Sequence, residues 1–168
     1  FDRPFTTFGT WNNESVTVNS RSSTGIINGA FVGFGKVDQV TVYVGISFIS
    51  VEQARKNLLA EVVRETQFKS FDEVKKESEA QWEPFLSTVQ VSGGTNDDKV
   101  KFYSAIYHAL MSPTTFNEAG DVYLGFDGTV HPLSRGTSAY YTDMSIWDVH
   151  RTQVLFLWLL FLFRTKHL

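Results

Sequence analysis

The chain has no cysteine, so no disulfide framework holds it and no thiolate serves as nucleophile or metal ligand. It also lacks a surplus of basic residues. Fifteen Lys and Arg stand against 18 Asp and Glu, giving a formal net charge of −3. Non-specific nucleic-acid binding needs a basic face, and this balance argues against it. Long hydrophobic runs are missing too. The longest, Val154 to Phe163, has ten residues, about half of what a bilayer requires, so it reads as a buried core helix rather than a membrane anchor. Repeats, low-complexity tracts and zinc-ligand clusters are absent. Gly25, Gly29, Gly33 and Gly35 lie among strand-like residues, not ahead of a helix, so they form no nucleotide-binding fingerprint.

What is present is ordinary globular composition with unusual aromatic weight. Hydrophobic residues make up 42% and charged residues 20% of 168 residues, a length suited to one domain. Aromatics reach 15%, with fifteen phenylalanines, which suits either a large core or a stacking site. No secretory leader is visible, and a start at Phe1, in strand-like sequence, fits a piece of something longer. Asn13-Glu14-Ser15 matches the N-glycosylation acceptor triplet, a pattern that is frequent by chance.

Residues 1–49 read as β structure. Val16–Val18, Ile26–Phe34 and Val37–Phe48 alternate or run apolar, and Val40, Val42 and Val44 share one face. Short strands with polar turns point to antiparallel sheet, of the kind found in sandwiches. Residues 50–92 read as helices followed by a short strand. Ser50 to Gln53 and Ser70 to Glu73 match capping boxes. Val51, Ala54, Leu58 and Val62 form one apolar stripe, and Phe71, Val74, Ser78, Trp82 and Phe85 another. Pro84 is expected to end or kink the second helix, and Val89–Val91 to form the strand. Residues 93–168 open with a helix capped near Thr95 and stopped by Pro113, with Val100, Tyr103, Ile106, Tyr107 and Leu110 on its apolar stripe. A long loop follows, with Asp127-Gly128 as a hairpin signal between two short strands. A last helix is predicted from Met144 or Ser145 to about Phe163.

The densest chemistry lies in Tyr140 to Thr152, which packs two tyrosines, a tryptophan, two aspartates, a histidine and an arginine together. An aromatic face beside a carboxylate and a guanidinium suits a sugar: the ring stacks, and charged groups hydrogen-bond hydroxyls in fixed directions. Structural roles compete for the same residues. Asp148 is also the third helical position after Ser145, a capping box. Trp147 and Arg151 are four apart and suit a cation–π pair worth on the order of 1 kcal/mol. Asp143 and Asp148 are five apart and diverge around a helix, a poor acid–base pair. Asp127 is explained by its turn. A non-catalytic carbohydrate-binding module and a membrane-tethered fragment using Val154 to Phe163 are the alternative readings.

Ser145-Ile146-Trp147-Asp148-Val149-His150-Arg151-Thr152 resembles the Ser-x-Trp-Asp-Thr-x-Arg-Thr signature of glycoside hydrolase family 92, the calcium-dependent exo-acting α-mannosidases. Val44 to Ser50 with Gln53 to Leu58, Ala80 to Glu83, Phe102 to His108 and Tyr123-Leu124-Gly125-Phe126-Asp127 resemble the family in register, so the likeness spans roughly Gly29 to Gln153. It implies an α+β fold: residues 1–49 as the end of an antiparallel β-sandwich, 50–92 as linker helices, and 93–168 as the first helical hairpin of an (α/α)6 barrel. It implies that Trp147 and Asp148 line a pocket for terminal mannose and that Arg151 orients Asp148 or reaches a hydroxyl. Val149 stands where the family has threonine, and Leu155-Phe156-Leu157-Trp158 departs from its pattern. The resemblance also implies a Ca2+ cofactor, α-mannoside glycans as partners, and a catalytic acid, base and calcium ligands beyond this chain, which alone is then inactive.

Overall fold

The computed structural model describes residues 1–13, 15–143 and 145–161. The chain forms two compact units, Phe1–Val44 and the residues from Gly45 onward.

In the first unit β1 (Thr7–Asn12) is the centre of an antiparallel three-stranded sheet, flanked by β2 (Ser15–Val18) and β3 (Asn28–Gly33). Gly9 pairs with Val18 on one side and Phe31 on the other, and Asn12 with Ser15 and Asn28. The central strand is the one that apolar patterning does not single out, because Thr, Gly and Asn break its alternation. The reverse holds for Val37–Phe48, which forms no strand. Its alternation is present, but a strand needs a ladder partner; here the Asp2 N–H donates to the Thr41 carbonyl at 3.0 Å without a ladder forming. Val44 is 73% exposed.

The second unit begins with α1 (Val51–Val62). The Ser50 hydroxyl accepts from the Gln53 amide at 3.0 Å, as the capping pattern predicts. Gln53 does not reciprocate; its side chain turns inward, and the buried face of the helix is Gln53 and Asn57 beside Ala54 and Leu58, while Val51 is exposed. Gly45 lies against this helix so closely that a Cβ would collide with the Ala54 carbonyl and Leu58 Cβ. The helix gives way to a two-residue ladder, β4 (Val63–Arg64) with β5 (Gln67–Phe68). Arg64 and Lys69 then hold Glu77 of the next helix.

The next helix, α2 (Phe71–Leu86), has the full Ser70–Glu73 capping box and runs through Pro84, ending two residues later than a strict stop. α3 (Asn96–Ala109) is capped reciprocally by Thr95 and Asp98. No strand forms at Val89–Val91. There the Tyr103 hydroxyl donates to the Val89 carbonyl (3.1 Å) and accepts from the Val91 amide (3.4 Å), so a side chain takes the place of a ladder. Trp82 packs on Tyr107 with ring centroids 4.6 Å apart, joining α2 to α3.

The last predicted helix is broken in two: α4 (Ile146–Val149) and α5 (Gln153–Phe161). The reason sits in His150. Its Nδ1 lies 3.1 Å from the Trp147 carbonyl, the acceptor that a continuing helix would offer to the Arg151 amide, and 3.0 Å from the Ile146 carbonyl, which also keeps the His150 amide at 3.2 Å. Both contacts require a proton on Nδ1, which leaves Nε2 to accept from Arg151 Nε at 3.2 Å. Gln153 then donates to the Ala109 carbonyl (2.6 Å) and to the Ser112 carbonyl, tying α5 to the end of α3. The ends of the predicted helix, at Met144 and residues 162–163, lie outside the described residues. Ile106 and Phe161, each 4% exposed, are the buried apolar residues among those described, and no described helix is long and apolar enough to cross a membrane.

Candidate functional site

The loop from Thr114 to Thr142 is built, not slack. β6 (Thr114–Thr115) pairs with β9 (Tyr141–Thr142), which closes it. Inside, β7 (Val122–Leu124) pairs with β8 (Val130–Pro132) as a hairpin. Asp127-Gly128 marks the turn as expected, but the connection is longer than two residues. The Gly125 amide reaches the Thr129 carbonyl (2.8 Å), the Gly128 amide returns to the Gly125 carbonyl (3.0 Å), and Gly128 takes φ +74°. Tyr123 and Tyr140 stack face to face, 3.9 Å apart with planes 9° from parallel, locking the hairpin to the strand before the motif.

Asp127 organises the turn. Its carboxylate accepts from the Thr129 amide (3.0 Å), the Thr129 hydroxyl (2.8 Å) and His131 Nε2 (2.9 Å). The Thr129 amide first, then that hydroxyl, then His131 hold its pKa down to about 2. A depressed carboxylate contributes to the fold fully above its unfolded value of about 3.9 and loses that contribution as pH falls through the folded value. The side-chain carboxyl carbon of Asp127 is therefore expected to titrate near pH 2 by NMR, and Thr129→Val to raise the midpoint partway. An ordinary midpoint near 3.9 in the native chain would contradict the turn described here.

The same loop is anchored at its base by a polar cluster. The Glu118 carboxylate accepts from Ser47 Oγ (2.5 Å), the Phe48 amide (2.9 Å) and Asn57 Nδ2 (2.8 Å). Asn57 also donates to the Ile46 carbonyl (2.8 Å) and accepts from the Ala119 amide (3.0 Å) and from Gln53 Nε2 (3.1 Å). Gln53 in turn donates to the Ala119 carbonyl at 2.7 Å. Burial alone would raise the Glu118 pKa; the hydrogen bonds from Ser47, Asn57 and Phe48 outweigh it and hold the carboxyl below its usual range. None of these four side chains is a sequence-predicted site residue. The available signal was two amides four apart, Gln53 and Asn57, on the face of α1 that also carries Ala54 and Leu58: buried amides demand partners.

The predicted site residues lie on the short α4 and just beyond it. Ser145 Oγ donates to Asp148 Oδ2 at 2.5 Å, while the Asp148 amide goes to the Ser145 carbonyl at 2.9 Å. This is half of the expected capping box: the serine binds the carboxylate and does not accept from the amide. Trp147 is 86% exposed. Arg151 is engaged with His150, so neither the cation–π pair with Trp147 nor an ion pair with Asp148 forms among the described residues. Asp143, at φ +61°, uses its carbonyl to accept from Ser112 Oγ (3.1 Å) and the Ser145 amide (3.0 Å).

Two clefts of about 460 Å3 open nearby. One is walled by Trp82, Phe85, Leu110, Tyr141 and Phe161, the other by Ile106, His108, Thr152, Gln153 and Phe156. Trp147, Asp148 and Arg151 line neither. No group of three or more His, Asp or Glu gathers among the described residues.

The sequence profile of the glycosyl hydrolase family 92 catalytic domain matches residues 53–167. The chain belongs to glycosyl hydrolase family 92. An inverting family 92 mannosidase from Bacteroides thetaiotaomicron superposes with a TM-score of 0.75 at 26% identity, over 92% of this chain and 21% of that one. A second family 92 α-mannosidase from the same organism shares the fold, with a TM-score of 0.65 at 20% identity over 89% of this chain and 20% of that one. An uncharacterised secreted glycosidase of Arthroderma benhamiae is 34% identical over 80 residues, which is 46% of this chain and 10% of that protein. This family 92 chain thus spans about a fifth of the solved mannosidases and about a tenth of the curated relative.

Proposed function

We propose that this family 92 chain forms part of an exo-acting α-mannosidase that removes terminal α-mannosyl residues from glycans with inversion. The observation that carries the reading is the likeness to an inverting family 92 mannosidase across nearly the whole chain. Trp147 is proposed to stack on the terminal mannose, with Asp148 accepting from its hydroxyls. The exposure of Trp147 supports this, since its ring face is uncovered. Arg151 is proposed to contact a hydroxyl directly or to turn onto Asp148 when sugar is present. The sandwich to which the three-stranded sheet belongs, and the barrel that α3 opens, are part of the same proposal.

Inversion needs two carboxyl groups about 6.5–9.5 Å apart, one protonating the leaving oxygen and one activating water on the opposite face of the ring. Asp148 is engaged with Ser145, Asp127 with its turn and Glu118 with Ser47 and Asn57. The acid and base, and the ligands of a calcium ion, are therefore proposed to come from outside the described residues. The secreted relative favours an extracellular site of action.

The full-length protein is expected to release mannose from α-mannosides as the β-anomer, seen by proton NMR before mutarotation. The purified 168-residue chain is expected to release none. Initial release of α-mannose would overturn inversion, and turnover by the 168-residue chain would overturn the placement of acid and base elsewhere.

A further inference from the structure

Asn13 stands at the turn between β1 and β2, whose last pair is Asn12↔Ser15. It is exposed and holds φ +51°, and its backbone N–H donates to the Ile27 carbonyl at 3.0 Å. Asparagine tolerates this left-handed geometry better than most residues, so the turn by itself accounts for asparagine at position 13. It does not account for the hydroxyl at position 15, which pairs with Asn12 through the backbone register. Of the seven asparagines in the chain, Asn13 alone has Ser or Thr two positions on, with a residue other than proline between. Ser15 is exposed as well. The neighbouring Asn12 ends β1, and its side-chain amide donates to the Thr24 carbonyl at 2.6 Å. Asn13 and Ser15 are thus both exposed at a hairpin turn, where a bulky polar group on Asn13 meets solvent.

We propose that Asn13 carries an N-linked glycan, added in the secretory pathway. The donor is a polyprenyl-pyrophosphate-linked oligosaccharide and the catalyst a host oligosaccharyltransferase. The Asn13 Nδ2–H bond breaks and a bond from Nδ2 to the sugar C1 forms. The C1–O bond to phosphate breaks, the lipid pyrophosphate leaves, and the amide proton passes to a base of the transferase. Nothing is oxidised or reduced. The assignment rests on the extracellular placement proposed above.

The test is intact-mass analysis of the full chain made in a eukaryotic host behind a secretion leader, counting retained and secreted material together so that folding does not decide the result. The expected result is a glycan mass that peptide N-glycosidase removes, leaving aspartate at position 13. Ser15→Ala should abolish it and Ser15→Thr should keep it. Asn13→Gln should abolish it too, although glutamine fits φ +51° less well, which makes the Ser15 pair the cleaner comparison. An unmodified chain, or a glycan that survives Asn13→Gln, would overturn the proposal. Because the host supplies the leader, this result is independent of the native address. The protein recovered from its own source separates the two readings. Unglycosylated Asn13 in the extracellular fraction overturns the glycan, whereas protein found only inside the cell overturns the extracellular site of action.

Discussion

Asp148→Asn in the full-length protein is expected to lower kcat/KM about ten- to a hundredfold and to leave its melting temperature unchanged. Asp148 has two possible duties, and the substitution separates them. The structural duty is the bond from Ser145 Oγ at 2.5 Å, which steadies the first turn of α4. An amide oxygen accepts that hydrogen bond in place of a carboxylate oxygen, so asparagine keeps the turn. The sugar-binding duty depends on charge. A hydrogen bond to a charged group contributes roughly 1.5–3 kcal/mol, and losing that much from the transition state gives the stated fall in kcat/KM. Unchanged activity would retire Asp148 as a sugar ligand. A fall in melting temperature that tracks the fall in activity would instead assign it to the turn. Trp147→Ala is a poorer probe of the same question, because removing an indole that is 86% exposed alters solubility and stacking together.

Asn57→Leu is expected to speed hydrogen exchange at the Ala119 amide about a hundredfold, with a smaller rise across the neighbouring loop. The Asn57 side chain is 9% exposed and uses both donors and both acceptor positions, toward Ile46, Glu118, Ala119 and Gln53. Leucine fills similar volume and satisfies none of them. An unsatisfied buried group costs about 1–3 kcal/mol. Part of that is recovered here, because Glu118 keeps Ser47 and Phe48, and Gln53 keeps the Ala119 carbonyl. A net local loss near 3 kcal/mol corresponds to the hundredfold rise when exchange reports local opening. A change below tenfold would show that the loop is held by its aromatic contacts, Tyr123 on Tyr140 and Phe116 on Phe48, and not by the polar cluster.

The cluster also bears on the proposed site. It joins the segment before α1 to the base of the loop that closes at Thr142, ahead of the Trp147–Asp148 turn in sequence. The Tyr123–Tyr140 stack then carries that anchoring to the strand leading into the motif. A defect at Asn57 is therefore expected to reach the position of Asp148 through the loop, with no contact of its own to the sugar.

Much of this molecule could be read from its sequence because the deciding interactions are local. Ser50, Ser70 and Thr95 cap their helices through atoms three residues away, so the pattern and the partner lie in one short window. Asp127 meets Thr129 and His131 within four residues, and the hairpin follows. Family membership was legible for the same reason, since the motif from Ser145 to Thr152 is contiguous. Tertiary structure decided the rest. Glu118 meets Asn57, Phe48 and Ser47 across 61, 70 and 71 residues, separations that no periodicity encodes. Val40, Val42 and Val44 alternate as a strand should and form none, because a strand is completed by a partner that its own sequence does not name. The same division runs through Trp147, Asp148 and Arg151. Their order along the chain identifies the family, but whether they meet a sugar depends on which groups converge on them, and hydrogen bonds and stacking act through space, not along the chain.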